Sequence, residues 1–297
     1  MGTRQIPILV YNAFTREPFA GNPAGVVLDA SALDQRLMQH IARQLNLAET
    51  AFLAPAESRE ADVRLRWFTP AREVTLCGHA TIAAFTAAAE QGVYPTDPGE
   101  ERTLHVETLS GILTIGIRRE EHPRVSMQIP IPNFQPLQVD RDHFAELSGV
   151  PSASLAGEWW VHRDLEYWYV PVQSRQALAT LRLQPEGLAE LDDQAAFTFF
   201  CFDTVDAASH WHLRFFAPFH GVAEDIVTGS AQGPMGVLYQ RLTGEEKDGW
   251  WEYTGEQGDI LGRPGRVSVT VGREGGRLTD VRIAGGAVLM LKAELRI

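Results

Sequence analysis

The stretch EVTLCGHATIAAF, Glu73 to Phe85, sets a cysteine, a glycine and a histidine between a short β-like run and a run of small helix formers. Cys77, Gly78 and His79 at such a turn suit three roles: a tight turn and nothing more, a reactive thiol, or a helix start whose bare amides hold an anion. A helix start leaves about four backbone N–H groups without helical partners and carries roughly half a positive charge. Glycine there lets a carboxylate approach the amides closely. The later segment GVAEDIVTGSAQGPMGVLYQRL repeats the theme with Thr228, Gly229 and Ser230. Pro234 does no harm there if it lies in the first turn, where its amide would have no helical partner, so a start near Ser230 is expected. If two such starts face each other, they converge on one ligand cleft.

An anion cradle needs a proton carrier before it becomes an enzyme. Glu49, in LNLAETAFL, lies between an amphipathic run and an apolar run, a position that suits a general acid and base, although a lone Glu after a helix is more often solvated or capping. Asp225 either accepts a hydrogen bond from a substrate hydroxyl or ammonium or caps its turn. His79 donates to substrate, relays a proton, or is a satisfied turn residue. Cys77 is a proton-transferring thiolate favoured by the helix start or, as is commoner, a small buried hydrophobe. His210 and His212 share one face of a strand in HWH, and His220 with Glu224 would complete a metal site; strand histidines two apart are common, and no metal is expected. No dinucleotide fingerprint or Walker loop is present, and no cofactor is expected.

These residues need elements to hold them. IPILV and GVVL read as strands around the loop FTREPFAGNPAG, which contains Asn22. In DQRLMQHIARQL the apolar residues Leu37, Met38, Ile41 and Leu45 recur at three and four, which predicts a helix starting near Ser31 or Asp34 and ending near Asn46. Strands follow in TAFLA and VRLRWF, then the helix ATIAAFTAAAEQG closed by Gly92. LHVETLSGILTIGI reads as a hairpin turning at Ser110-Gly111, and MQIPIPNFQP as an extended linker. Beyond it come helices near Arg141 to Leu147 and in SRQALATLR, strands in LEYWYVPV, FTFFCF and WHLRFFA, and a tail of strands. The aromatic run EWWVHRDLEYWYV suggests core or interface packing. Gly78 and Gly229 stand about half of the 297 residues apart, so the chain is expected to be two similar halves.

An apolar content of 44% allows a substantial core, and a net charge of -12 leaves no basic stripe for a nucleic-acid backbone. No segment is long and apolar enough to span a membrane. MGTRQIPILVYNAF lacks a signal core, and Ile6 breaks a myristoylation pattern. Two cysteines, Cys77 and Cys201, suit a reducing compartment, so the cytoplasm is expected.

Taken together, NAFTREPFAGNPAGVVL, LNLAETAFL, LRWFTPAREVTLCGHAT, RFFAPFHGVAEDIVTGSAQGPMGVLY and GGAVLMLKAEL resemble the phenazine-biosynthesis PhzF-like isomerase family, in the family's order and over nearly the whole chain. The resemblance implies a diaminopimelate-epimerase-like α/β (α+β) fold: two pseudo-symmetric halves, each a curled, mostly antiparallel sheet or barrel around a central helix. One half would span residues 1–118, completed by 286–297, and the other 128–285. It implies a cofactor-independent isomerase, a homodimer, that moves a proton between carbons of a small carboxylate, as in dihydro-hydroxyanthranilate isomerisation. Glu49, His79 and Asp225 match its catalytic residues; Gly78, Thr228, Gly229, Ser230, Asn22 and Cys77 are assigned to substrate binding. Asn12, Ile226 and Gln232 stand where the family has an aspartate, a proline and a histidine. Related racemases use two thiols, but Ser230 sits in the second motif without one. The competing expectations are a carboxylate-binding protein without chemistry, an epimerase using Cys77, and a metal enzyme using His210 and His212.

Overall fold

The computed structural model describes residues 4–297; Met1–Thr3, where the signal-free N-terminal reading begins, lie outside the described residues. The chain divides into two compact units, one of Met1–Ile129, Gly265–Val267 and Arg282–Ile297, the other of Pro130–Pro264 and Ser268–Val281. In chain order the elements of the first half are β1 (Gln5–Ala13), β2 (Asn22–Val27), α1 (Gln35–Leu45), β3 (Glu49–Ala54), β4 (Val63–Phe68), β5 (Glu73–Val74), α2 (Gly78–Glu90), β6 (Glu101–Thr108), β7 (Gly111–Arg118) and β8 (Arg124–Gln128). Then follow β9 (Phe134–Leu137), α3 (Arg141–Ser148), β10 (Trp159–His162), β11 (Tyr167–Pro171), α4 (Arg175–Thr180), α5 (Pro185–Leu188), β12 (Ala196–Cys201), β13 (Trp211–Ala217), β14 (Val222–Asp225) and α6 (Gly229–Thr243). The last strands are β15 (Gly249–Gln257), β16 (Gly265–Glu274), β17 (Arg277–Gly285) and β18 (Ala287–Arg296).

In the first unit, GHATIAAFTAAAE has small or apolar residues on every side, so α2 has no face to give to water and Gly78–Ala88 are all buried. The sheet wraps it. β1 pairs antiparallel with β18 and β2, β2 runs parallel to β3, and β3 is antiparallel to β4. β4 runs parallel to β6, and β6, β7, β8 and the end of β17 continue antiparallel. Strands throughout this run, including β1, β2, β3, β7, β8 and β18, touch α2. α1 covers the outer face, with Met38 and Ile41 packed among Ile8, Val27, Phe52 and Phe68. Asp34 caps its first turn by accepting from the Leu37 N–H, and Asn46 stops it in a left-handed conformation at φ 51°.

The second unit repeats this plan. β9, β10 and β11 are antiparallel, β11 runs parallel to β12 across α4 and α5, and β13 runs parallel to β15 across α6. The first unit has the same two crossovers, through α1 and through α2. α6 is buried along most of its length, and a Cβ on Gly236 would come within 2.6 Å of Val269 Cγ1, so glycine sets how closely helix and sheet approach. Phe144, Trp159, Trp168, Phe197 and Phe199 build the core beneath the short outer helices α3 to α5.

Several expectations change. β2 begins at Asn22, so Asn22 and Pro23 belong to the strand; at Pro23 only β1 pairs with it, because the β3 ladder starts at Ala24. The expected linker MQIPIPNFQP has strand at both ends, Met127–Gln128 in β8 and Phe134–Gln135–Pro136 in β9. Part of the aromatic run is strand β10. Pro234 is the sixth residue of α6, one turn later than expected, so the Ser230 carbonyl lacks the N–H that would close its helical bond.

Candidate active site

Glu49 is the first residue of β3, three residues beyond the left-handed stop of α1 at Asn46, and sits in register with Ala24 of β2. The approach to Cys77 is held at three points. Arg66 forks onto Glu73 through two 2.6 Å bonds, Ser110 Oγ donates to the Thr75 carbonyl at 2.6 Å, and Thr81 Oγ1 donates to the Cys77 carbonyl at 2.6 Å. Thr81 is in turn fixed by Trp67 Nε1 at 3.1 Å. Cys77 is the extended N-cap residue of α2 and makes no side-chain cap, which leaves first-turn amides for an anion.

From this turn three side chains form a line. Cys77 Sγ lies 3.6 Å from His79 Nδ1, and His79 Nε2 lies 3.2 Å from Glu49 Oε2, an ion-pair approach whose angle is poor for a hydrogen bond. Cys77 and His79 are buried, whereas the Glu49 side chain keeps 17% exposure, so the carboxylate is the end that solvent and ligand reach. Burial works against the His79 imidazolium, but the Cys77 sulfur at Nδ1 and the Glu49 carboxylate at Nε2 outweigh it and raise the His79 pKa well above the ordinary range. A raised His79 pKa favours positive charge at this uncapped helix start, which would add to its pull on anions.

Burial also raises the Cys77 thiol, with His79 and the Ala80 amide opposing and Glu49 adding to the rise. Burial pushes Cys201 up to about 12. Both cysteines are free thiols, so iodoacetamide at pH 8 is expected to label neither in the folded protein during a time in which it labels both in urea. A count of adducts by mass spectrometry checks this, and rapid native labelling of Cys77 would contradict it.

In the second unit Asp225 ends β14 and Thr228 is the N-cap of α6, again without a side-chain cap bond of its own. Thr228 Oγ1 donates instead to Asp225 Oδ2 at 2.6 Å. Gln257 clamps this turn: its Nε2 donates to the Asp225 carbonyl at 2.9 Å and to Thr228 Oγ1 at 3.0 Å, and its Oε1 accepts from the Thr228 N–H at 2.8 Å. Gln232, one turn into α6, accepts from Trp211 Nε1 at 2.7 Å. Ser230 Oγ lies 3.4 Å from the Tyr167 hydroxyl.

Thus Glu49, Cys77, Gly78 and His79 come together in the first unit, and Asp225, Thr228, Gly229 and Ser230 in the second; Asn22 is fully buried on β2. Gln257, Trp211 and Trp67 carry no local signal in the sequence, and Gln232 is distinctive there only as a departure from a family pattern. The alternative metal set of His210, His212, His220 and Glu224 is not brought together. His210 accepts from the Thr254 N–H, His220 meets the Gln194 carbonyl, and Glu224 pairs with Arg214. His212 instead lies 3.0 Å from Glu256, whose carboxylate also accepts the Val205 and Asp206 N–H groups, and 4.0 Å from Asp259. These partners come from a strand and a loop far along the chain, which spacing within HWH does not reveal.

Residues 11–293 match the family model PhzC-PhzF, described as phenazine biosynthesis-like protein. The chain is 33% identical to the uncharacterized isomerase YfhB of Bacillus subtilis over 96% of its own length and 97% of that protein's. It is 31% identical to the trans-2,3-dihydro-3-hydroxyanthranilate isomerase of Pseudomonas aeruginosa, covering 93% of this chain and 94% of that one. Among solved structures, the PhzF-family phenazine biosynthesis protein of Bacillus anthracis superposes with a TM-score of 0.87 at 32% identity, over 99% of this chain and 100% of that chain. A hydroxyproline epimerase from Agrobacterium vitis, at TM-score 0.62 and 13% identity, covering 99% of this chain and 93% of that one, shares the fold alone.

Proposed function

As a member of the phenazine biosynthesis-like PhzC-PhzF family, with the diaminopimelate-epimerase-like fold, the chain is an isomerase, and we propose that it moves a proton between carbons of a small carboxylate without a cofactor. The observation that carries this function is the line Cys77, His79, Glu49 at an uncapped helix start. In the first unit the first-turn amides of α2 form one anion cradle, with Gly78 allowing close approach and Asn22 and Cys77 as further contacts, and in the second unit the first-turn amides of α6 form another with Thr228, Gly229 and Ser230. Glu49 takes a proton from one carbon and returns it to another, and His79 beside it holds the carboxylate in place; in the second unit Asp225 is the residue that orients a polar group of a ligand at the α6 start. The name of the Pseudomonas aeruginosa relative suggests a small cyclic, amino- and hydroxyl-bearing carboxylate. Two free thiols suit the cytoplasm, and a homodimer belongs to the same proposal.

The Cys77–His79 contact favours one other function, an epimerase with a thiol as carrier. It lacks a second thiol at the α6 start, where Ser230 stands, and Cys201 instead donates to the Asp203 carbonyl. The test is deuterium entry into carbon positions in heavy water, followed by NMR across cyclic and amino carboxylates that include dihydro-hydroxyanthranilate. Exchange at two carbons of one substrate supports the proton shift; exchange at one stereocentre with inversion supports the epimerase; binding without exchange leaves a binding protein.

The ligand atoms of Glu49, Cys77 and His79 all lie within 4.8 Å of one another, a set with the chemistry to take up zinc. Dialysis against EDTA is nevertheless expected to leave turnover unchanged. Loss of turnover that zinc restores would overturn the cofactor-free mechanism.

A further inference from the structure

A second polar face meets the start of α6. In the β10–β11 pair, His162 stands directly opposite Tyr167, so the two side chains share one face of the sheet. Tyr167 brings its hydroxyl to Ser230 Oγ on that face, and Tyr169, two residues on, donates to the Ala231 carbonyl at 2.9 Å. His162 is therefore turned toward the first turn of α6. It is 3% exposed, packed against Phe134 at 5.7 Å, and its Nδ1 has no hydrogen-bond partner in the protein. Leaving a buried imidazole nitrogen unpaired costs about 1–3 kcal/mol, which a structural role would avoid by placing an apolar ring there. Tyr167 and Ser230 are only partly buried, so a ligand at the α6 start reaches this face. Burial lowers the His162 pKa, with Asp164 opposing, so the ring is neutral at pH 7 and both donates and accepts.

We propose that His162 and Tyr167 form a specificity subsite that reads a neutral hydrogen-bonding substituent, a hydroxyl, on the carboxylate held at the start of α6. This rests on the carboxylate-binding function proposed above, but not on Glu49 chemistry. His162 pairs with the hydroxyl, and Tyr167 with Ser230 fixes the angle between that hydroxyl and the carboxylate. An acid that lacks the hydroxyl leaves His162 as it is now, buried and unpaired, and gains nothing from the face.

The experiment is calorimetric titration of the full chain with benzoate and with 3-hydroxybenzoate, repeated on His162→Phe and Tyr167→Phe. The native protein is expected to bind the hydroxylated acid about 10-fold more tightly, the worth of one hydrogen bond to a buried group. His162→Phe is expected to cut that preference to about 2-fold or less while leaving benzoate affinity within about 2-fold. Tyr167→Phe, which deletes only a hydroxyl, is expected to lower the preference in the same direction and serves if the first variant fails to fold. Equal binding of the two acids by the native protein, binding of neither, or a preference that survives both substitutions overturns the subsite. A retained preference in Glu49→Gln, in protein that exchanges no carbon-bound deuterium, would instead leave the subsite standing and remove the isomerase mechanism only if native protein also fails to exchange.

Discussion

Glu49→Gln is expected to lower turnover by a factor of roughly 100 or more, the usual loss when a positioned general acid–base is removed, which is about 2.7 kcal/mol of barrier. The amide has nearly the shape of the carboxylate and keeps an oxygen toward His79 Nε2, now 3.2 Å from Oε2, but it neither takes nor returns a proton. The α2 amides proposed to hold substrate belong to the backbone, and their geometry is set by Thr81, Trp67 and Ser110 rather than by Glu49. Ligand affinity should therefore stay within a few-fold, so the loss falls on kcat. Rapid-quench or NMR turnover with calorimetry on the same sample separates the two, and full activity in the variant sinks the mechanism. Deuterium exchange should vanish in parallel, because wash-in needs the same carboxylate.

Glu224→Ala is expected to have the largest effect on stability. Arg214 forks onto Glu224 through two 2.7 Å bonds, and its side chain is only 6% exposed. Its third nitrogen donates to the Leu178 and Leu181 carbonyls, and the guanidinium lies 4.9 Å over the Phe216 ring. Deleting the carboxylate leaves a buried cation with carbonyls alone, and removing one partner of such a pair costs about 3–5 kcal/mol. Replacing both, as Arg214→Met with Glu224→Gln, should recover most of that loss, because the uncompensated charge goes too. Urea denaturation of the three proteins tests this; a loss below about 1 kcal/mol in Glu224→Ala would mean the pair behaves as an exposed one. Glu224 precedes Asp225 on β14, so the single variant should also weaken ligand binding more than it slows chemistry.

The helix starts at Gly78 and Gly229, the amphipathic α1 and the repetition at half length were all legible in the chain. Each depends on residues within a turn or two: glycine before a run of small side chains, apolar spacing of three and four, an Asp cap. The burial of α2 and α6 followed from composition, since a helix without a polar face has nowhere to go but inside. Pro234 falls in the second turn of α6, past the positions where a missing N–H costs nothing, although the helix starts within one residue of the expected Ser230. β10 is not legible as a strand because an aromatic run fits a core of either kind.

Which side chains meet was decided by the tertiary structure. His79 and Cys77 are neighbours in sequence, but Glu49 arrives beside them only because β3 lies in register between β2 and β4 while α2 is wrapped by the same strands. Gln257 reaches Asp225 and Thr228 from the end of β15, and His212 finds Glu256 and Asp259 rather than His210. Local propensity acts over a few residues and so is written along the chain, whereas a hydrogen bond or a shifted pKa depends on distances of a few ångströms that strand register alone brings about. The sequence by itself thus determined the types of residue and the glycine-containing helix starts, and the packed sheets decided that Glu49 stands beside His79 and that a buried His162 shares the β10–β11 face that Tyr167 brings to the start of α6.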